Sequence, residues 1–169
     1  MTTSPSIHRH PCGVTRPFYA APVADIYEFL ITMDLRDDLS NDEIADLRWH
    51  LGLGPQPKRL AILTAFPVVT EDDDGQPQIK DEPRPLLAER GAAWKVSGAL
   101  CAELARRDQP AGWALTVRQE LHPDDFDLVR KLLDWLAGHT KYHNEDRDAA
   151  GLEVFVGYLR WYEDLRPCP

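Results

Sequence analysis

Between Ile26 and Leu35 the odd-numbered positions Tyr27, Phe29, Ile31, Met33 and Leu35 are apolar, while the even ones include Glu28, Thr32 and Asp34. This period-two alternation predicts a half-buried strand. Ser40-Asn41-Asp42-Glu43 follows with the spacing of a capping box, in which the serine oxygen and the glutamate carboxylate satisfy free backbone donors reciprocally. Acidic residues in that first turn also suit the positive end of a helix dipole. Ile44, Leu47 and Leu51 then share one helical face, and Gly52 is placed to stop the helix.

From Leu53 to about Ala92 the periodicity degrades. Arg59 to Phe66 reads as a short strand or a buried helical turn, and a run that short does not separate the two. Pro67 to Pro85 is proline-rich and carries the run Glu71-Asp72-Asp73-Asp74-Gly75, the composition of an exposed loop. Insertions of this length serve as lids, as binding loops or as mobile surface.

Ala93 to Arg106 reads as a ragged helical face or as a cleaner alternation. In the second reading Trp94, Val96, Leu100 and Leu104 face one way, and Lys95, Ser97, Cys101 and Glu103 the other, so a strand is preferred. Arg107 to Gly112 makes a turn, and Trp113 to Leu121 alternates again. If the two strands form a hairpin with their apolar residues on one face, one register sets Cys101 opposite Arg118 and Glu103 opposite Thr116. Pro123 takes the favoured first position of a second helix. Its stripe is Phe126, Val129, Leu132, Leu133 and Leu136, and Gly138 ends it. Leu152 to Trp161 is the last strand, apolar on both faces.

The two halves therefore read alike: strand, turn, helix ending in tryptophan and glycine (Trp49 and Gly52; Trp135 and Gly138), then a closing strand. The predicted fold is α+β, a ferredoxin-like β-α-β-β-α-β sandwich with internal duplication and an insertion at 53–92. One domain spans 24–163, with tails at 1–23 and 164–169. Two helices cover only one face of such a sheet. The strand readings put Glu28, Thr32, Asp34, Cys101, Glu103, Thr116, Arg118 and Glu120 on the other face.

Over about residues 25 to 162 this arrangement resembles the dimeric α+β barrel superfamily, in which two such sheets face each other around a cavity. The resemblance is architectural and brings no motif. It implies a homodimer through the open sheet face and a small-molecule ligand between the sheets. Members of that superfamily include cofactor-independent monooxygenases, haem-handling enzymes, isomerase-like enzymes and proteins with no known activity, and fold does not choose among them.

Composition narrows the field from the other side. Hydrophobic content of 43% and charged content of 28% are ordinary for a globular domain. A net charge of −9 argues against a phosphate-binding surface, so no nucleic-acid partner is expected. No apolar run approaches the roughly 18 residues that cross a bilayer. The N-terminus lacks the apolar core of a signal peptide, so a cytoplasmic, membrane-free setting is expected. Cys12, Cys101 and Cys168 are odd in number and lack C-x-x-C spacing, which indicates neither a disulfide framework nor a cysteine zinc site.

The chemistry-bearing groups are correspondingly few. His8, His10 and Cys12 alternate, but in an extended tail they have no preset geometry for a metal. His139 and His143 have helical spacing, yet Gly138 ends the helix before them, so neither metal nor cofactor is expected. On the open face, Arg118 with Glu28 or Glu120 is the candidate catalytic set: the guanidinium would orient an anionic or carbonyl substrate and a carboxylate would act as base. Thr32, Asp34, Cys101, Glu103, Thr116 and Tyr158 are the candidate ligand-binding residues. Charges pairing across a wet face or a dimer interface explain the same pattern without catalysis. Trp94, Trp113, Trp161 and Tyr158 offer an aromatic pocket wall, or core. Glycine-rich phosphate loops, G-x-S-x-G and H-E-x-x-H are absent from the sequence. Two functional classes result: an interaction or ligand-binding module, and a cofactor-independent enzyme.

Overall fold

A computed structural model describes residues 25–141 and 155–162. In chain order these form β1 (Tyr27–Leu35), α1 (Asn41–His50), β2 (Pro67–Glu71), β3 (Pro77–Asp81), β4 (Gly91–Ala92), β5 (Ala99–Asp108), β6 (Ala111–Leu121), α2 (Phe126–Gly138) and β7 (Phe155–Trp161). Five strands make an antiparallel sheet in the order β4-β5-β6-β1-β7, and β2 and β3 form a separate hairpin.

The local chemistry predicted for α1 is present. Ser40 Oγ accepts from the Glu43 backbone N–H, and Glu43 accepts from the Ser40 backbone N–H at 2.8 Å. Both bonds satisfy donors that the first helical turn leaves open. Gly52, at φ 65°, turns the chain out of the helix; a Cβ there would lie 2.9 Å from Cβ of Ala88. Pro123 differs from its expected role. It begins a single 3₁₀ turn, Pro123–Asp125, and α2 proper starts at Phe126.

The β5–β6 hairpin takes the expected register, with Cys101 opposite Arg118 and Glu103 opposite Thr116. Its first strand begins six residues later than the sequence suggested. Residues 93–98 are a loop in which Trp94 is 72% exposed, because β4 and the turn at Gly98 (φ 89°) end the pairing there. Val96, Leu100, Ile26 and Tyr162 seat this loop in a small apolar cluster of their own.

Side-chain parity then divides the sheet. Phe29, Ile31, Met33 and Leu35 from β1, Ala102 and Leu104 from β5, and Leu115, Val117 and Leu121 from β6 join one core. Leu47 and Trp49 of α1 and Leu128, Val129, Leu132 and Leu136 of α2 pack into the same core. Both helices thus cover one face, and the even-numbered residues of β1 and β6 are left on the other.

The 53–92 segment corrects its expectation. Far from being only exposed loop, 67–85 contains the β2–β3 hairpin, and Leu63, Phe66 and Leu87 are buried in the main core beside α1. Stitches hold it there: Leu87 N–H donates to the His50 carbonyl at 2.8 Å, and Asp81 accepts from the Phe66 N–H. Gln119, inward-facing on β6, donates to the Glu89 and Cys101 carbonyls and accepts from the Glu89 N–H, all within 3.1 Å. These bonds use both amide donors and the carbonyl oxygen of a buried side chain.

One glycine is critical to the sheet. A Cβ at Gly112, where φ is 149°, would stand 2.4 Å from the Leu35 carbonyl oxygen. Gly112→Ala must push β6 away from the end of β1. We expect a loss of about 2 kcal/mol in urea unfolding, in the range of forced backbone strain. A loss below about 0.5 kcal/mol would show that the two strand ends separate freely.

Candidate functional site on the open sheet face

Alternation places Glu28, Leu30, Thr32 and Asp34 of β1 beside Ala114, Thr116, Arg118 and Glu120 of β6 on the uncovered face. Cys101 and Glu103 extend it on β5, and Tyr158 and Arg160 on β7. All nine sequence-nominated residues therefore lie on this face, but they do not converge on one point.

Glu28 is the centre of the first group. It is only 1% exposed although it faces the open side. Arg118 covers it from β6, donating through Nε at 2.8 Å and Nη2 at 2.6 Å to Glu28 Oε1. Arg160 covers it from β7, donating to Oε2. Burial alone would raise the carboxyl pKa; the hydrogen bonds from Arg160, Arg118 and the Tyr158 hydroxyl outweigh it and hold the group below its ordinary range. Such a carboxylate stays ionised and is a poor proton acceptor at neutral pH.

Arg118 is as fully engaged as its partner. Besides Glu28, its guanidinium donates to the Ala99 carbonyl at 2.6 Å and the Ser97 carbonyl at 2.5 Å. The planar fork thereby ties β1, β6 and the turn before β5 together. Glu120 does similar work one register step away. Its carboxylate accepts from the backbone N–H groups of Trp94 at 2.9 Å, Lys95 at 2.5 Å and Val96 at 2.7 Å. The candidate catalytic set is thus occupied in holding the 93–98 loop to the sheet.

The second group lies toward the other end. Thr32, Asp34, Thr116 and Arg107 border a shallow depression of about 240 Å³. Arg107 donates to Asp34 at 2.9 Å across its floor. Cys101 and Glu103 stand exposed on β5 outside both groups. The four aromatic residues proposed as one wall are dispersed. Trp113 points into the helix side of the sheet under Arg106, Trp161 packs on the small cluster, Tyr158 stays on the open face beneath Arg160, and Trp94 lies on the loop.

Comparison with protein-family models, curated proteins and solved structures finds no match to this chain.

Two features escaped the sequence reading. Arg160 completes the Glu28 network, and the even parity it shares with Tyr158 on β7 was the available signal. The Asp46–His50 pair, both residues fully buried, lies on α1 away from this face. Its i, i+4 spacing was visible, but burial of two polar residues on an otherwise apolar helix face is not written in periodicity.

Among the described residues no group of three His, Cys, Asp or Glu side chains is arranged to hold a metal ion. His139 instead stacks on Trp135 with 4.2 Å between ring centroids, and its Nδ1 lies 2.7 Å from the Trp135 carbonyl oxygen. His8, His10, Cys12 and His143 lie outside the described residues. No described helix is long and apolar enough to cross a membrane.

Proposed function

We propose that this chain is a ferredoxin-like interaction module, built on a repeated β-α-β unit, that pairs with a second copy of itself through the open sheet face. One observation carries the reading. The sheet face that the helices leave uncovered is braced internally by Glu28, Arg118 and Arg160, which are committed to structural bonds rather than to a substrate. The strand order β5-β6-β1-β7, with both helices on one side, supports the ferredoxin-like reading.

A second copy suits the face because it carries both signs of charge. Arg160 and Arg107, each partly exposed beyond its pairing with Glu28 and Asp34, stand with Glu103 around half-exposed Tyr158 and exposed Thr116. A twofold axis brings unlike parts of such a surface together. The enzyme alternative, with Arg118 orienting a substrate and Glu28 or Glu120 as base, has less support, since each of those groups already has its full set of partners.

Native mass spectrometry tests the reading. Two copies of a 19.2 kDa chain are expected in one particle. Thr116→Arg places bulk and charge at the centre of the face without touching the core, and should give monomers with unfolding stability within about 0.5 kcal/mol of wild type. A wild-type monomer at about 50 μM, weaker than a specific dimer of standard interface size, would overturn the proposal. So would a Thr116→Arg dimer.

A further inference from the structure

Beside β4, at the end of the open face that carries Glu120, the described residues border an open depression of about 380 Å³, lined by Ile26, Leu100, Trp94, Glu89, Arg90 and Glu120. Its size is that of a small-ligand site. Ile26 and Leu100 supply an apolar floor, Trp94 an exposed indole, and Glu89 and Glu120 the charge.

Two cations stand near this charge, Arg90 in the lining and Lys95 over the Trp94 ring, but among the described residues neither forms an ion pair with Glu89. The Arg90 headgroup is turned away, donating to the carbonyls of Leu51 at 3.2 Å and Ala102 at 2.8 Å. Asp125, which also acts on Glu89, is itself paired with Arg84 at 2.5 Å. Glu89 makes no ion pair among the described residues. Partial burial first, then the like charges of Glu120 and Asp125, pushes the carboxyl pKa of this otherwise exposed residue up.

Lys95 Nζ stands 4.1 Å from the Trp94 ring centroid, within cation–π range, so the indole already carries the chain's own ammonium and offers a ligand apolar contact. An unpaired carboxylate beside an exposed aromatic ring and an apolar floor is the recognition chemistry of an ammonium group on an apolar body. We propose that this depression binds a small organic cation, an amine whose ammonium pairs with Glu89 and whose apolar part lies between Trp94, Ile26 and Leu100.

Calorimetric titration of the full chain with 2-phenylethylamine tests this, with 2-phenylethanol as the uncharged isostere and phenylacetate as the opposite charge. The amine should bind saturably with a dissociation constant of about 1 mM or below, at least about tenfold tighter than the alcohol, and phenylacetate should bind weakest. Glu89→Gln should bring the amine to the level of the alcohol. Its fold is protected, because Gln119 bonds the backbone of residue 89 and not its side chain. Trp94→Ala, on an exposed loop position, should weaken amine and alcohol alike. Equal binding of amine and alcohol, an amine affinity unchanged in Glu89→Gln, or no saturable heat up to about 20 mM would each overturn the site.

Discussion

Arg118→Ala is expected to cost about 3–5 kcal/mol of folding stability, the range for removing one partner of a buried charge pair. The cost comes from what is left behind. Glu28, with a side chain only 2% exposed, would lose two hydrogen bonds and keep Arg160, whose own side chain is 43% exposed. The carbonyls of Ser97 and Ala99 would lose the donor that holds the turn before β5. Arg118→Lys should recover little, because a point ammonium does not reproduce a planar fork reaching a carboxylate and two carbonyls.

The pH dependence of the wild type follows from the same network. Glu28 has a folded-state pKa below its unfolded value, so it stabilises the fold above the unfolded carboxyl range. That contribution is lost as pH falls through the folded value. Urea unfolding of wild type and Arg118→Ala at neutral pH is the check. A loss below about 1 kcal/mol would mean the pair behaves as an exposed surface bridge, and Arg118 would again be available to a substrate.

Much of this brace was legible before the structure. Parity put Glu28, Arg118 and Glu120 on one face, and the hairpin register aligned Cys101 with Arg118. What parity does not carry is occupancy. Whether a guanidinium meets a substrate or two carbonyls depends on where 93–98 runs, and that loop read as part of a strand. Its even positions Trp94 and Val96 mimic alternation, although Val96 is buried by an apolar cluster and Trp94 is left in solvent.

The 53–92 segment was illegible for a different reason. Phe66 and Leu87 are fully buried, yet 21 positions separate them, and neither belongs to a periodic segment. Their burial is arranged by hydrogen bonds from irregular backbone to side chains. Asp81 accepts from Phe66, Gln119 grips Glu89, and Asp46 accepts from the N–H groups of Ala61 and Ile62 at 2.7 Å each. Irregular backbone enters a core only when such partners satisfy it. The polar residues that make this possible look, in sequence, like any solvated position. By contrast the ends of α1 were announced, because a capping box and a stop glycine each act within a few residues.

The fold should lose about 3 kcal/mol on acidification from about pH 6.5 to pH 4 through one residue, His50. Both His50 and Asp46 are fully buried, and their nearest atoms, Nε2 and Oδ1, are 3.7 Å apart, too far for a hydrogen bond. Among the described residues neither imidazole nitrogen has a hydrogen-bond partner, and the ring stacks on Phe66 at 5.9 Å between centroids. Burial lowers the pKa from 6.5 to about 4, and the attraction of Asp46 only partly opposes it. Because the folded value is depressed, the unfolded chain binds the proton more readily. Stability is therefore complete above pH 6.5 and declines by about 1.4 kcal/mol per unit as pH falls toward 4. His50→Gln keeps a side chain of similar size without a titration, so most of this slope should vanish while stability near pH 8 changes by less than about 2 kcal/mol. Urea midpoints measured at intervals from pH 8 to 4 decide it. An unchanged slope in His50→Gln would assign the acid sensitivity to carboxylates such as Glu28. A wild-type stability that rises on acidification would mean that Asp46 holds His50 protonated as a buried ion pair, and that attraction outweighs burial.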